Sequence, residues 1–272
     1  MSEVVIAGAG PAGLTLALRL ARHGIYATVL EALDAPGREL RASTFHPPTL
    51  DLLDEDGITP QLIAHGLIAP AWQVRMHASG ERAEFDLSIL RGHTRHPYRV
   101  QCEQSKLVDF LLARLASHYP QVRVCFGHRV TALEQHADSV MMVCGASAGG
   151  QRFTARHAVG CDGARSAVRK QLGLGFEGET FPENVILAAT DFPFHDHVPN
   201  LSHINYCWKD DGTFSLLRLP NLWRVSLYPD QGESAEAALA ELQAIARDPE
   251  RALKHLLNTS MITGLQQSLA TP

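Results

Sequence analysis

The feature that most constrains this chain is a strand, a glycine-rich turn and a helix at its start. The apolar run Val4 to Ala7 leads into Gly8-Ala-Gly10-Pro-Ala-Gly13, and leucines and alanines at helical spacing continue up to Gly24. A second apolar run, Ala27 to Leu30, ends at Glu31. This order predicts a compact βαβ unit whose helix begins inside the glycine motif.

The glycine spacing G-x-G-x-x-G, in this setting, favours a dinucleotide-binding turn over an ordinary strand-to-helix turn. Gly8 permits a tight turn, Gly10 lets a pyrophosphate approach the backbone, and Gly13 lets the helix pack closely on the strand. The motif by itself fits either FAD or NAD.

Two further parts of the βαβ unit complete the predicted site. The helix begins at Pro11 and Ala12, so its positive dipole end faces the phosphates. Glu31 lies 18 positions beyond Gly13 and is predicted to bind the adenosine ribose hydroxyls.

Composition narrows the class of protein and of partner. The chain has 272 residues, 45% of them hydrophobic, which is enough for a large core in one or two domains. A net charge of −5 gives no reason to expect nucleic acid, so small molecules are the expected partners. The first residues lead directly into a strand, and no apolar run is long enough to predict a membrane span.

Cysteine usage indicates a reducing compartment. The five cysteines are odd in number, widely spaced and free of any C-x-x-C pair, so neither a disulfide framework nor a zinc site is predicted. The His-x-His pair at His195 and His197 lies on a predicted loop and does not change this expectation of no metal site. We expect a cytoplasmic protein.

The second half of the chain has a different pattern. Strand candidates follow one another at 185–192, 203–208, 213–218 and 223–228, and consecutive strands without helices between them predict an antiparallel or mixed sheet. The expected domains are 1–71 with 99–180, interrupted by an excursion at 72–98, and then a sheet at 181–232. Two helices, 234–245 and 249–257, are predicted within a final segment at 233–272.

A second motif lies near the middle of the chain. An apolar strand from Val159 runs into Asp162-Gly163, and a helical segment follows to Arg169. Taken alone, this pattern favours a β-turn and a helix capped by Asp162 or Ser166.

Together these segments resemble the class A flavoprotein aromatic hydroxylases, the group typified by 4-hydroxybenzoate hydroxylase. The resemblance runs over most of the chain, and four segments carry it: the glycine motif with Glu31, Arg41 to Leu50, Val100-Gln101 before a helix, and Cys161 to Arg169.

The resemblance implies a fold and a cofactor. The expected fold is α/β, with a Rossmann-like FAD-binding domain of the glutathione-reductase type and a second domain on an antiparallel or mixed sheet. It places Asp162 and Gly163 near the FAD pyrophosphate, with Asp162 also implicated in NAD(P)H binding. Arg41 and Gln101 are expected to contact the flavin cofactor, and the backbone at Val130 is expected to lie against the adenine.

The resemblance also implies an activity. We expect an FAD-dependent monooxygenase that hydroxylates an aromatic, preferably phenolic, compound with NAD(P)H and O2. The family's substrate lies under a sheet equivalent to 185–228, where Tyr206, Arg218 and Tyr228 are candidate contacts. Because the cofactor carries the oxygen chemistry, no catalytic residue is assigned.

One family signature is missing from the sequence, and this keeps alternatives open. No Gly-Asp pair follows Leu174, although the family uses such a pair to hold the ribityl chain. The chain is therefore either a truncated hydroxylase or a non-catalytic FAD- or ADP-binding homologue that regulates or completes a partner. A complementing chain and a homo-oligomer both remain open as partners. A related flavin enzyme, such as a halogenase or a reductase, is a third alternative, although the W-x-W-x-I-P motif of the tryptophan-type halogenases is not found.

Overall fold

The computed structural model describes residues 2–39, 42–76, 78–145, 150–179, 185–209 and 212–227, and the backbone of 266–269. The chain divides into two units. Unit 1 contains Met1–Arg38 and Gln104–Glu179, and unit 2 contains Glu39–Glu103 and Thr180–Pro272. The segment predicted as an excursion, 72–98, is part of the longer stretch that unit 2 takes from the first half of the chain.

The described helices and strands are numbered in chain order. The helices are α1 Pro11–Arg22, α2 Pro47–Asp54, α3 Thr59–His65, α4 Gln104–His118, α5 Ala167–Gln171 and α6 Phe194–His197. The strands are β1 Val4–Ala7, β2 Ala27–Leu30, β3 Thr44–Phe45, β4 Leu67–Ala69, β5 Ala71–Met76, β6 Arg82–Asp86, β7 Arg99–Gln101, β8 Val122–Cys125, β9 Val130–Gln135, β10 Val140–Cys144, β11 Gln151–Ala155, β12 His157–Gly160, β13 Ile186–Thr190, β14 Ile204–Lys209, β15 Gly212–Arg218, β16 Trp223–Leu227 and β17 Gln266–Leu269.

A four-stranded parallel sheet forms the centre of unit 1. Its strand order is β12-β1-β2-β8, and every neighbouring pair is parallel. All residues of β1 and β2 are buried, as expected of parallel strands covered on both faces, which read as continuous apolar runs. The predicted βαβ unit is confirmed.

Helix α1 covers one face of this sheet and contacts β1 and β2. Its buried positions include Leu14, Ala17, Leu18 and Ala21, whose spacing of three and four residues puts them on one side of the helix. The helix ends where Gly24, at φ +76°, permits the left-handed backbone of a Schellman cap.

An antiparallel sheet of order β11-β10-β9 packs against the other face. One hydrophobic cluster joins Val5 and Ala7 of β1 to Met142 and Cys144 of β10. Because Val5 and Ala7 are two residues apart, both point to the same side of their strand. Unit 1 is therefore layered as helix, parallel sheet and antiparallel sheet.

Unit 2 contains a seven-stranded sheet of order β17-β13-β16-β15-β14-β5-β6 and a small sheet of order β3-β7-β4. Strands β5 and β14 are parallel, and the other neighbours in the large sheet are antiparallel. The predicted mixed sheet is thus confirmed. It is mixed because β5 and β6, from the first half of the chain, extend a sheet that the later strands build as hairpins.

The two faces of the large sheet bury different side chains. On one face, here called the Trp223 face, Trp223 lies in a cluster with Phe214, Val225 and Phe194 of α6. On the opposite face, called the Trp72 face, Trp72 packs with Ile204, Leu217 and Ala69.

The strands predicted between 185 and 228 appear as β13 to β16, with ends displaced by one or a few residues. Several elements have no counterpart in the sequence-based prediction, among them β3, β4, α3, β11 and β17. The segment with His195 and His197 was predicted as a loop, and this was wrong: it forms the short helix α6, whose Phe194 is buried in the core. The helices predicted at 234–245 and 249–257 lie outside the described residues. Among the described residues, no helix is long and apolar enough to span a membrane.

The packing of α1 on the parallel sheet predicts the effect of truncating its side chains. Leu18 is fully buried, whereas Leu174 of the same unit is 60% exposed. Leu18→Ala should lower the free energy of unfolding by about 2–5 kcal/mol because it leaves a cavity. Leu174→Ala should change it by no more than about 0.5 kcal/mol. Urea denaturation followed by circular dichroism measures both, and equal losses would contradict this packing.

Candidate functional site

The candidate site lies at the carboxyl ends of three neighbouring parallel strands in unit 1. Gly8 follows β1, Glu31 follows β2 and Cys161 follows β12. Backbone bonds continue the ladders there, from Gly8 N–H to the Leu30 oxygen at 2.7 Å and from Cys161 N–H to the Ala7 oxygen at 2.7 Å. The crevice outside such strand ends is the usual ligand-binding position of an open parallel α/β sheet.

The turn between β1 and α1 is closed too tightly for side chains at two of its glycines. A Cβ at Gly8, where φ is +100°, would lie 2.3 Å from the Cys161 carbonyl oxygen. A Cβ at Gly13 would lie 2.0 Å from the Gly8 carbonyl oxygen. Both are glycines because the turn, α1 and the end of β12 approach one another closely.

Gly10 has a different reason to be glycine. A Cβ at this position would meet no protein atom within 4 Å, and its φ of −74° is accessible to any residue. Packing within the chain therefore does not require glycine here. Gly10 is also the N-cap of α1, which has no side-chain cap and no acidic residue in its first turn. The free positive end of the helix and the open space beside it together suit an anionic ligand.

Glu31 is held in place by two backbone amides. Its Oε2 accepts a hydrogen bond from Ala9 N–H at 2.7 Å, and its Oε1 accepts one from Leu33 N–H at 3.0 Å. Each carboxylate oxygen retains acceptor capacity for a ligand hydroxyl. Glu31 thus connects the glycine turn to the end of β2 while remaining half-buried at the cleft.

Asp162 acts as a helix cap in this structure. Its Oδ2 accepts hydrogen bonds from Ala167 N–H at 2.6 Å and Val168 N–H at 3.2 Å, and its Oδ1 accepts one from the Ser166 hydroxyl at 2.5 Å. Ser166 in turn accepts a bond from Arg169 N–H at 3.0 Å. The capped-helix interpretation drawn from the residues alone therefore describes the local structure, and Asp162 also borders the cleft.

The site is a cleft of about 340 Å³ within unit 1, a size typical of small-molecule sites. The structure brings together six of the residues predicted from the sequence along this cleft: Gly8, Gly10, Glu31, Val130, Asp162 and Gly163. Pro11, Ala12 and Gly13 form the first turn of α1 beside it.

The lining also contains His128 and Arg165, which the sequence reasoning missed. His128 is fixed by its backbone N–H, which bonds the Glu31 carbonyl oxygen at 2.6 Å, and by Nε2, 2.7 Å from Gln151 Oε1. No motif marks His128. Arg165, by contrast, lies within the Asp-Gly segment, so that segment could have indicated it.

The thiols near this site are suited to packing and not to nucleophilic chemistry. Burial, followed by the charge of Asp162, raises the pKa of Cys161. Burial, followed by the neighbouring Cys125, raises the pKa of Cys144 to about 11. Both therefore stay protonated at neutral pH. The described residues contain no group of three or more His, Cys, Asp and Glu side chains that could hold a metal ion.

Gln101 belongs to unit 2 and lies on β7. Its side chain is fully buried, yet neither Nε2 nor Oε1 has a hydrogen-bond partner. A buried amide without partners is costly, so this side chain suits a ligand with both donor and acceptor groups.

The predicted substrate contacts do not come together. Tyr206 lies on the Trp72 face, with its ring 5.7 Å from that of Trp72 in an edge-to-face contact. Arg218 lies on the opposite face, 5.9 Å from the ring of Trp223. Tyr228, and Arg41 among the predicted cofactor contacts, lie outside the described residues.

Two arginines of unit 2 were missed by the sequence reasoning. Arg224 reaches the buried Ser43, with Nη1 3.4 Å from its hydroxyl oxygen. Arg99 lies on β7 two residues before Gln101, with its guanidinium 5.0 Å from the Trp72 ring centroid. Strand alternation about Gln101 was the signal that could have indicated Arg99.

The parallel sheet, the glycine turn and the open helix end define a dinucleotide-binding α/β protein. Residues 1–261 match the family described as FAD binding domain, and the chain belongs to this family. FAD is accordingly the cofactor to consider for the cleft. The open space at Gly10 and the acceptor atoms of Glu31 fit such a ligand.

Named relatives are monooxygenases. The chain is 31% identical over 258 residues to para-nitrophenol 4-monooxygenase of Pseudomonas sp. strain WBC-3, covering 94% of this chain and 62% of that protein. It is 35% identical over 193 residues to 6-hydroxy-3-succinoylpyridine 3-monooxygenase of Pseudomonas putida, covering 71% of this chain and 49% of the relative. The chain thus spans about half to three-fifths of the length of these relatives.

A solved structure agrees with this family assignment. The crystal structure of p-nitrophenol 4-monooxygenase from Pseudomonas putida DLL-E4 matches 99% of this chain and 69% of its own, with a TM-score of 0.84 and 28% identity. Both units of the present chain therefore have counterparts in a monooxygenase fold.

Substitutions at two glycines of the turn should affect different properties, FAD affinity at Gly10 and fold stability at Gly13. Gly10→Ala should leave the melting temperature within about 2 °C, because its Cβ meets no protein atom, but it should weaken FAD at least tenfold by filling the space for the pyrophosphate. Gly13→Ala should destabilise the fold itself, because its Cβ would overlap the Gly8 oxygen. Thermal melts without FAD and fluorescence titrations with FAD separate the two effects. Unchanged FAD affinity in Gly10→Ala would remove this assignment of the site.

Proposed function

We propose that this chain binds FAD, with the ADP half in the cleft of unit 1, and that its protein hydroxylates a phenolic ring with NAD(P)H and O2. The observation that carries the proposal is the open, uncapped helix end at Gly10 in a chain of the FAD binding domain family.

Each part of the cleft has a role in this proposal. The first turn of α1 faces the pyrophosphate, and the Glu31 carboxylate accepts hydrogen bonds from the ribose hydroxyls. The backbone at Val130 lies against the adenine. Asp162 and Gly163 border the pyrophosphate. Because Asp162 already caps α5 through two amides and Ser166, its position is fixed before any ligand arrives.

Gln101 is a further residue in this proposal. The buried amide of Gln101 bonds the flavin cofactor, a role that its two unpartnered polar atoms support. When bound, FAD supplies the redox and oxygen chemistry, and the protein supplies orientation and exclusion of water. Arg41 as a flavin contact, and Arg218 and Tyr228 as substrate contacts, stay predictions.

The aromatic substrate class rests on two observations. Relatives named for para-nitrophenol and for a hydroxypyridine share 31% and 35% identity with the chain. The Trp72 face of unit 2 also presents stacked aromatic side chains, including Tyr206, against which an aromatic ring can pack. A cytoplasmic location, and a homo-oligomer or a complementing chain as partner, stay predictions from the sequence.

The purified chain tests this function directly. We expect a yellow protein, or one reconstituted with FAD, that oxidises NADH or NADPH faster when a phenol is added and releases a hydroxylated product. Absorbance spectra, NAD(P)H consumption under air and mass spectrometry of the product measure these outcomes. A chain that binds FAD but oxidises no NAD(P)H would support the alternative of a non-catalytic binding module. A chain that cannot be reconstituted with FAD would refute both.

Glu31 provides a test of the ribose contact. Glu31→Gln keeps the shape of the side chain but removes its charge, so FAD should bind more weakly by about 1.5–3 kcal/mol, or roughly 10- to 100-fold. Glu134→Gln, at an exposed position of β9 in the same unit, is the control and should leave the affinity unchanged. Equal FAD affinity in the Glu31 variant and the wild type would contradict the ribose assignment. Melting without FAD checks that the Ala9 turn survives.

A further inference from the structure

Strand β7 carries two polar side chains, Arg99 and Gln101, with buried atoms that have no hydrogen-bond partner. Arg99 and Gln101 are two residues apart and therefore project from the same face of the strand. The Nε and Nη1 atoms of Arg99 and both polar atoms of the Gln101 side chain are buried and make no hydrogen bond. A buried unpaired donor costs about 1–3 kcal/mol, and more when it is charged. Such a group in a native protein requires an explanation, and a bound ligand is one.

The surroundings of Arg99 are aromatic. Its guanidinium lies 5.0 Å from the Trp72 ring centroid. The Trp72 ring stacks on Phe85 at 4.1 Å and meets the Tyr206 ring edge at 5.7 Å. All four residues belong to unit 2. A planar aromatic ligand could pack against such a group of rings while a polar substituent meets the guanidinium.

The charge of Arg99 is not compensated by an acidic neighbour. No ion pair to Arg99 occurs among the described residues, in contrast to Arg95, whose Nη1 lies 2.8 Å from Asp54. The nearby His46 adds no second charge near neutral pH, because burial and then the charge of Arg99 lower its pKa. The group facing Arg99 is thus expected to be an anion.

We propose that Arg99 is a specificity-determining residue that binds the oxyanion of an aromatic substrate, a phenolate or a similarly charged ring substituent, through its unpartnered N–H groups. This proposal rests on the function proposed above, since it names the substrate class of the same enzyme. The guanidinium of an arginine stays charged, and each of its N–H groups can donate a charge-assisted hydrogen bond to an oxyanion.

A pair of ligands that differ in charge tests this role. Isothermal titration calorimetry with 4-nitrophenolate and with the uncharged 4-nitroanisole, each with and without saturating FAD, gives the dissociation constants. Arg99→Met should raise the dissociation constant of 4-nitrophenolate about 10- to 100-fold, because a charge-assisted hydrogen bond is lost. It should change the dissociation constant of 4-nitroanisole by less than about threefold. The dissociation constant of 4-nitrophenolate for Arg99→Lys should lie between those of the wild type and Arg99→Met.

The control removes the same charge elsewhere in unit 2. Arg82→Met, at an exposed position of β6, should leave both dissociation constants unchanged. Melting temperatures establish that each variant is folded, and Arg99→Lys carries the test if Arg99→Met does not fold. An equal loss for both nitro compounds would make Arg99 a packing residue and overturn the proposal. A loss of FAD affinity with unchanged phenolate binding would make it a flavin contact and also overturn it.

The wild-type titrations distinguish this proposal from the function on which it rests. Phenolate binding that depends on Arg99, in a chain that does not oxidise NAD(P)H, would support the charge recognition and refute only the hydroxylase activity. Absence of phenolate binding to the wild type, with or without FAD, would overturn the Arg99 proposal while leaving FAD binding to be judged by its own titration.

Discussion

The structure of unit 1 depends on the close approach of three backbone segments at one point. The turn after β1, the first turn of α1 and the end of β12 meet there. A side chain at Gly8 would overlap the backbone of Cys161, and a side chain at Gly13 would overlap the Gly8 oxygen. This contact fixes the direction of α1, and the direction of α1 determines where its unpaired amide groups point. The candidate site in this cleft is therefore a consequence of backbone packing.

The sequence predicts this part of the fold well because the constraint is local. The glycine spacing, the continuous apolar strands and Glu31 all lie within one short βαβ unit. Where the backbone leaves no space for a side chain, as at Gly8 and Gly13, the sequence has glycine. Unit 2 is harder to predict because its large sheet joins strands far apart in the chain. The parallel pairing of β5 with β14 brings Gln73 opposite Asn205, and no local pattern encodes that register.

The same distinction explains the site residues. Asp162 could be interpreted from its own segment as a helix cap, and the structure contains that cap. Arg224 could not be identified, since an arginine in a strand resembles a solvated surface charge until its tertiary neighbours are known, and Arg99 could be indicated only through its spacing from Gln101. Arg218, the arginine singled out on its predicted strand, lies on the Trp223 face and not with Tyr206. A choice between the two faces requires the register of the whole sheet.

Glu31 has a consequence beyond the contact proposed for it. Its carboxylate accepts the amide of Ala9 inside the glycine turn, while its backbone N–H bonds Cys125 at the end of β8. The side chain proposed to bind the ribose thus also supports the glycine turn. A substitution of Glu31 that changed the nucleotide preference would also remove the hydrogen bond that holds Ala9. Such a change would therefore need a second, compensating support for the turn. Cofactor preference and the stability of the turn are thus coupled through Glu31.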